Sequence, residues 1–469
     1  MIFDSHASAV DRHLTGWASS LALAAPRVST TIALTAGAVV SLAPSLLPRG
    51  AATQSLLTGA LTALGWGLAA LWQRVSRRRP HPVAGGSVRP LAAPIGAAVL
   101  GWAIVLADRW QNELRAAMGA PAVGPWHWLA ILVGGAVVCA LLVAAGRAVR
   151  AAGRRLGLAR SVAGLLTLGT AIAFWAGPAA WDQFARSQAT ANSTVDHALP
   201  QPTSPSMSGS AASMTPWDTL GAEGRKFVSA PVAAGVVRTY VGVDGASDLG
   251  SRVLLAVREL ERAGGLTRSN VVIAVPTGSG WVDANAVAGF EERFGGDVAE
   301  VAVQYSVAPS WATFVFDRDG AQESARALYS AVMQRVSLLP PDRRPHVYLY
   351  GQSLGSVGAG AAFADGDAGS VCGALFAGPP AGTVNTAGAT VLANTSDPVV
   401  RWSPRLLVLP PRLDGARQDA PSPGWLPVVS FVQTTVDLLG ALDAPAGHGH
   451  RYGTDQGTAL PDCAPPSRG

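Results

Sequence analysis

Five runs in the first 180 residues, at about 28–47, 52–72, 91–107, 126–145 and 161–180, contain no Asp, Glu, Lys or Arg. A helix rises about 1.5 Å per residue, so about 20 apolar residues cross the roughly 30 Å hydrocarbon core of a bilayer. A soluble helical bundle would show a polar face on its outer helices, and none of these runs has one. The pattern predicts five transmembrane helices over 28–180. The first run follows 27 residues and is not succeeded by a small-residue cleavage site, so it is expected to be retained rather than removed as a signal peptide.

Composition agrees with lipid as a solvent. Hydrophobic residues make up 49% of the chain and charged residues 14%, against roughly 25% charged in ordinary soluble domains. The net charge of +5 divides unevenly: residues 1–180 carry 15 Arg and 4 Asp+Glu, leaving 20 Lys+Arg and 26 Asp+Glu for 181–469. The basic half has its arginines between apolar runs, without an RNP-like or helix-turn-helix pattern. The expected partner is therefore the bilayer and not nucleic acid. Arg74, Arg77, Arg78, Arg79 and Arg89 follow the second run, and Arg147, Arg150, Arg154, Arg155 and Arg160 follow the fourth. The loop after the third holds only Arg109 and Arg115, balanced by Asp108 and Glu113. Arg-rich loops stay cytoplasmic, which predicts residues 1–27 inside, five crossings of the cell membrane, and everything after 180 outside. Intramembrane charges mark transport paths; the runs lack them, so the helices are read as an anchor.

Residues 181–215 form the expected linker, Ser/Thr/Pro-rich around Ser204-Pro205-Ser206-Met207-Ser208, a composition that buries little. From 216 to 469 the pattern alternates between strand and helix signals. Strands are expected at 237–243, 271–276, 301–307, 347–350, 371–376 and 389–393, with helices at 249–263 and 322–336. Continuous apolar strands between helices imply a mostly parallel sheet covered on both faces.

Gly351-Gln352-Ser353-Leu354-Gly355 follows one such strand and precedes a Gly/Ala-rich helix. G-x-S-x-G in this setting is the turn that lifts a nucleophilic serine above a sheet, which makes Ser353 the candidate nucleophile. A serine needs a base, and the base an orienting carboxylate, in the chain order Ser, acid, His. Asp397 follows the strand at 389–393 and is the candidate acid. His448 and His450 are the two histidines after Ser353, so the base is one of them; His450 is preferred and His448 is the alternative. As metal ligands the pair would want a further clustered His or Cys, and no metal or organic cofactor is expected. The oxyanion donors should be the N–H of Leu354 and one from the loop after an earlier strand, at Gly278 or Ser279. Trp281, Trp311, Trp402 and Trp425 are candidate pocket-lining residues, and the Pro-rich stretch 401–427 a candidate lid.

Together, Pro276-Thr277-Gly278-Ser279-Gly280-Trp281, Tyr350-Gly351-Gln352-Ser353-Leu354-Gly355-Ser356, Ser396-Asp397-Pro398-Val399-Val400-Arg401-Trp402 and Gly447-His448-Gly449-His450 resemble the membrane α/β-hydrolase family common in actinobacteria. That resemblance implies a helical membrane region, an α/β-hydrolase domain and the triad, with no defined common substrate. The expectation is a membrane-anchored serine hydrolase acting on small-molecule or lipid acyl esters or thioesters. The alternatives are an envelope acyltransferase with the same triad and a non-catalytic receptor or scaffold. The sequence does not set an oligomeric state. Cys372 and Cys463, both in the half expected outside, are a candidate disulfide.

Overall fold

The computed structural model describes residues 27–76, 89–365 and 371–463. The chain divides into two compact units. One holds the chain up to Leu166 together with Pro423–Gly440, and the other Thr167–Ser422 together with Ala441–Gly469. The N-terminal segment 1–26 and the arginines 77–79, on which part of the topology expectation rests, lie outside the described residues.

In the first unit, α1 (Val28–Ser41), α2 (Ala51–Ser76), α3 (Arg89–Ala117) and α4 (Pro125–Ala171) follow one another. Among the described residues, three helical stretches are long and apolar enough to cross a membrane: Ala51–Ser76, Leu91–Ala117 and Pro125–Arg155. Their large side chains, among them Leu64, Leu68, Trp102 and Leu141, face outward, as lipid-facing helices require. The expectation of five spans is corrected at both ends. Helix α1 has 14 residues, about 21 Å of rise, because Pro44 and Pro48 interrupt the remainder of its apolar run. The run at 161–180 is not among them: it follows a break in α4 at Gly157, φ 75°, passes through a π-helical turn at Ile172–Ala176 and continues as helix from Gly177 to Ser193. Small residues allow close packing in this unit; a Cβ at Gly37 would strike the backbone of Leu61, and one at Gly65 that of Ala33.

The second unit is an α/β domain. After α5 (Gly177–Ser193) and α6 (Gly221–Ser229) come β1 (Val237–Val241), α7 (Leu249–Arg262), β2 (Asn270–Val275), α8 (Ala284–Arg293), β3 (Val298–Val303), α9 (Ser310–Phe316), α10 (Arg318–Ser337), β4 (His346–Gln352), α11 (Leu354–Asp365), β5 (Gly373–Ala377), β6 (Thr390–Leu392) and α12 (Pro398–Arg401). The six strands form one sheet in the order β1-β3-β2-β4-β5-β6, with every pair parallel. Alternate residues of each strand enter two cores. Val271, Ile273 and Leu349 meet Leu260 of α7, Leu328 and Val332 of α10 and Ala359 of α11. Val272, Ala274 and Tyr350 meet Phe227 of α6 and Phe290 of α8. Burial on both faces explains why these strands read as continuous apolar runs.

The stretch expected as a linker is packed against this sheet. Met207 lies in the core and bridges Arg238 of β1, Ser208 N–H donates to Arg238 O at 3.0 Å, and Tyr240 N–H donates to Ser208 Oγ at 3.0 Å. Its hydroxyls and amides find partners: Glu259 of α7 accepts from Ser213 Oγ at 2.6 Å and Met214 N–H at 2.9 Å. A polar segment can thus be ordered by hydrogen bonds to a sheet edge, a route that composition does not reveal.

Beyond α12 the chain divides its allegiance. Arg417 N–H donates to Ala393 O, and Thr395 N–H to Arg417 O, which stitches the middle of the Pro-rich stretch to the end of β6. From Pro423 to Gly440, including α13 (Val429–Asp437), the chain belongs to the first unit. There Leu46 N–H donates to Asp437 Oδ2 at 2.8 Å and Arg49 Nε to Asp437 Oδ1 at 2.9 Å. Gln433 Nε2 donates to Val40 O at 2.7 Å. Arg49, Gln433 and Asp437 are all buried. The chain then returns to the α/β unit, where α14 (Gln456–Ala459) packs on α8 and Cys372 and Cys463 form a disulfide with Cα atoms 4.5 Å apart.

Candidate active site

Strand β4 ends at Gln352 and α11 begins at Leu354, leaving Ser353 alone on the turn with φ 54°. A positive φ on a residue with a Cβ is sterically costly and is held only by its surroundings. A Cβ at Gly351 would strike Gly355 O, and one at Gly355 would strike Val275 O. Two glycines are therefore required for strand and helix to pass this closely. Ser353 N–H donates to Ala377 O at 2.9 Å, fixing the turn to the end of β5. The side chain is partly exposed, whereas its neighbours Gln352 and Leu354 are buried.

Asp397 caps α12: its Oδ1 accepts from Val399 N–H at 2.8 Å. Its Oδ2 lies 2.7 Å from His450 Nδ1 and accepts from Tyr452 OH at 2.7 Å. The carboxylate is fully buried. An Nδ1–H donated to Asp397 leaves Nε2 as the basic nitrogen, and that atom is buried without a hydrogen-bond partner among the described residues. The ring lies against the backbone just past β5, since a Cβ at Gly378 would come within 2.8 Å of His450 Cε1. Gly378 adjoins Ala377, which holds Ser353. Gln352, the residue before Ser353, donates from Nε2 to His450 O at 3.0 Å. His450 Nε2 therefore makes no hydrogen bond to Ser353 Oγ in this structure; catalytic hydrogen bonds are often long or open in unliganded sites.

His448 is placed elsewhere. Its Nδ1 is 3.4 Å from Asp419 Oδ2 and makes no hydrogen bond among the described residues. Asp419 instead accepts from Ser396 N–H at 3.0 Å and from Ser396 Oγ. Ser396 Oγ accepts from Gly449 N–H at 2.9 Å, and Asn394 Nδ2 donates to Gly449 O at 2.9 Å. The histidine loop is thus laced to the turn that carries Asp397.

On the other side of Ser353, the loop after β2 closes on itself through Thr277 N–H to Trp281 O and Gly280 N–H to Thr277 O, each 2.9 Å. It is clamped from outside by Tyr240 OH, which donates to Gly280 O at 2.7 Å, and by Gln304 Nε2, which donates to Ser279 O at 2.8 Å. Among the described residues this leaves the N–H groups of Gly278 and Ser279 without an assigned acceptor, and Leu354 N–H likewise at the start of α11. A cleft of about 620 Å³, lined by Asn192, Ser193, Val243, Asp244, Ser306 and Val307, opens past the C-terminal ends of β1 and β3, two strands from Ser353. Of the tryptophans considered for the pocket, Trp311 is exposed and faces away from the core.

Tyr452, Gln352, Asn394 and Asp419 were not evident as site residues in the sequence. Tyr452, two residues after His450 in a glycine-bounded loop, carried the one usable signal. Beneath them runs a buried chain. Tyr350 OH is 2.8 Å from Gln456 Oε1 and 3.2 Å from Gln352 Oε1, and Gln456 Nε2 donates to Asp283 Oδ2 at 2.9 Å. Burial pushes the Asp283 carboxyl up from its usual range, against hydrogen bonds from Asn285 N–H and Gln456. Burial likewise pushes the Tyr452 phenol well up, reinforced by the Asp397 charge, so it remains a donor. His346 also lies near Cys372 and Cys463, with donor atoms within 4.8 Å of one another, but both sulfurs are engaged in the disulfide.

A family model described as the alpha/beta-hydrolase family matches residues 237–390 and 385–468. A second, described as the N-terminus of that family, matches residues 42–231. No curated protein matches the chain, and no solved structure does.

Proposed function

We propose that this chain, which belongs to the alpha/beta-hydrolase family across both of its halves, is a membrane-anchored serine hydrolase that cleaves acyl esters or thioesters. The observation that carries the reading is the strained Ser353 turn at the C-terminal end of β4, with the buried His450–Asp397 pair against the backbone just past β5. Ser353 Oγ attacks the acyl carbonyl while His450 Nε2 takes its proton. Asp397 holds the ring by Nδ1 and stabilises the imidazolium that forms. The oxyanion is received by Leu354 N–H and by Gly278 or Ser279 N–H. The protonated His450 then hands its proton to the leaving oxygen or sulfur, and water attacks the acyl-enzyme with His450 again as base.

The catalytic unit is assigned to the outer face of the membrane. Two features support this: a disulfide, which persists in oxidising compartments, and the Arg147–Arg160 cluster just before the apolar run at 161–180. The assignment requires that run to cross as a fourth span beyond the three candidates, through its π-helical turn. A protease reaching a C-terminal tag from outside intact cells is the expected result, and protection of the tag reverses the assignment.

Labelling by a fluorophosphonate probe tests the chemistry. Membranes holding the wild-type chain should be labelled and those holding Ser353→Ala should not. A folded wild-type protein that is never labelled would leave a hydrolase-like receptor or scaffold as the reading.

A further inference from the structure

We propose that α9 and the start of α5 form a lipid-contacting face, and that the substrate is an acyl ester of a membrane lipid taken from the bilayer itself. The substrate part of this inference rests on the hydrolase reading above; the contact with lipid does not.

Helix α9 has two unlike sides. Ala312 and Thr313 are buried, whereas Trp311 is 62% exposed and Phe316 65%, with Val315 exposed between them. The exposed rings are not scattered. Trp181 and Phe316 have ring centroids 5.0 Å apart, Trp181 and Phe184 5.6 Å, and Phe184 and Trp311 6.1 Å. Trp175, 79% exposed, and Phe174 precede them on the π-helical turn. An exposed aromatic cluster of this kind marks an interaction surface on a soluble domain. Here its place in the chain names the occupant. Trp175 and Trp181 stand at the end of the apolar run 161–180, whose other end is marked by Arg154, Arg155 and Arg160. Twenty helical residues rise about 30 Å, the thickness of a hydrocarbon core. Tryptophan and arginine at opposite ends of such a run are the usual anchors at the two membrane surfaces. The ring contacts then bring α9 to the same depth as Trp181, and its exposed side chains enter the headgroup boundary as an interfacial helix does.

The buried side of the same helix faces the candidate oxyanion loop. A Cβ at Gly278 would run into Thr313 Oγ1 and come within 2.9 Å of Ala308 O. One seven-residue helix thus touches lipid on one side and the Gly278 loop on the other. A lipid ester leaving the bilayer at α9 arrives at the loop that would bind its carbonyl.

The test uses the full-length protein in liposomes and the triple variant Trp311→Ser, Val315→Ser, Phe316→Ser. Fluorophosphonate labelling and turnover of a soluble short-chain ester should stay within about twofold of wild type. Turnover of a fluorogenic diacylglycerol ester embedded in the vesicles should fall by at least about tenfold, given the apolar area withdrawn from the interface. Equal losses on both substrates would overturn the proposal. Independently of catalysis, bilayer lipids brominated near the headgroup should quench the wild type more than Trp311→Phe. Equal quenching overturns the lipid contact, as does a light-scattering shift from dimer to monomer in the triple variant with quenching of the remaining tryptophans unchanged, which would make the face a contact between two copies. A wild type that is never labelled yet is quenched sinks the hydrolase reading and leaves the lipid face standing.

Discussion

Two histidines on one loop each stand near an aspartate from another segment, and the differences between the two pairs are instructive. His450 and Asp397 are both buried and 2.7 Å apart, with Tyr452 as a second donor to the same carboxylate oxygen. His448 retains 23% of its side-chain exposure and stands 3.4 Å from an Asp419 already engaged by Ser396. The residue types are identical and the separation in sequence is two. What differs is which carboxylate has spare acceptor capacity and which ring has a nitrogen left over beside the serine turn. The candidate catalytic pair is marked by the nitrogen it leaves free, whereas Asp419 is engaged by Thr395, Ser396 and Gly449.

The sharpest way to break this comparison is to remove each ring in turn. His450→Ala should lower kcat by about 10⁴-fold or more, as loss of a triad member does, with KM little changed. His448→Ala should change kcat by less than about threefold, as expected of a residue outside the chemistry. Steady-state kinetics on a soluble ester decides it, and the reverse order reassigns the base to His448. Next, Asp397→Asn should reduce kcat by about 10⁴-fold by favouring the wrong imidazole tautomer. Asp419→Asn, assayed in parallel, should act on thermal stability instead. A smaller effect is expected for Tyr452→Phe. Loss of one hydrogen bond to a charged group is worth about 1.5 kcal/mol, so kcat should fall about tenfold while Ser353 is still labelled by fluorophosphonate. An unchanged kcat would make Tyr452 a packing residue.

The smallest effect on activity is predicted below the base. Asp283 reaches the His450 carbonyl through Gln456, Tyr350 and Gln352. Because burial raises its pKa in the fold, the folded chain keeps a proton that the unfolded chain releases. The stabilisation is fully present below the unfolded value of about 3.9 and is lost as pH rises through the folded value, with a slope of at most about 1.4 kcal/mol per pH unit. Asp283→Asn should remove that slope, seen as a flatter Tm–pH curve above pH 4, and leave kcat near wild type. A steeper curve, or a lost kcat, would mean that Asp283 works as an anion.

Much of the candidate site was legible because its parts obey local rules. A nucleophile turn needs glycines two before and two after the serine, and the chain order of acid and base narrows the remaining candidates to Asp397 and two histidines. Which histidine points inward depends on the contacts of Asn394, Ser396 and Asp419, and these are brought together only by the fold. The strands were legible because burial on both faces leaves unbroken apolar runs, although β3 begins at Val298, three residues before its expected start. The spans were over-read at the ends because hydropathy counts side chains. It takes no account of Pro44 and Pro48, which stop α1, or of the break at Gly157 and the π-helical turn at Ile172–Ala176. The supposed linker was misread for the opposite reason, since hydrogen bonds to β1 and Glu259 order a segment whose side chains bury little.

The route of the chain through α13 also sets an order of assembly. During synthesis N-terminal regions emerge first, so the helices of the first unit exist while Asp437 is still to be made. Until it arrives, buried Arg49 lacks its carboxylate partner, and breaking such a pair costs about 3–5 kcal/mol. Residues 423–440 complete the first unit, and only afterwards does the ribosome deliver His450, Tyr452 and Cys463. On the proposed reading the base is therefore delivered last, after the stretch that completes the first unit. A nascent chain that stops before residue 423 leaves Arg49 without Asp437, and one that stops before residue 450 holds Ser353 without its proposed base.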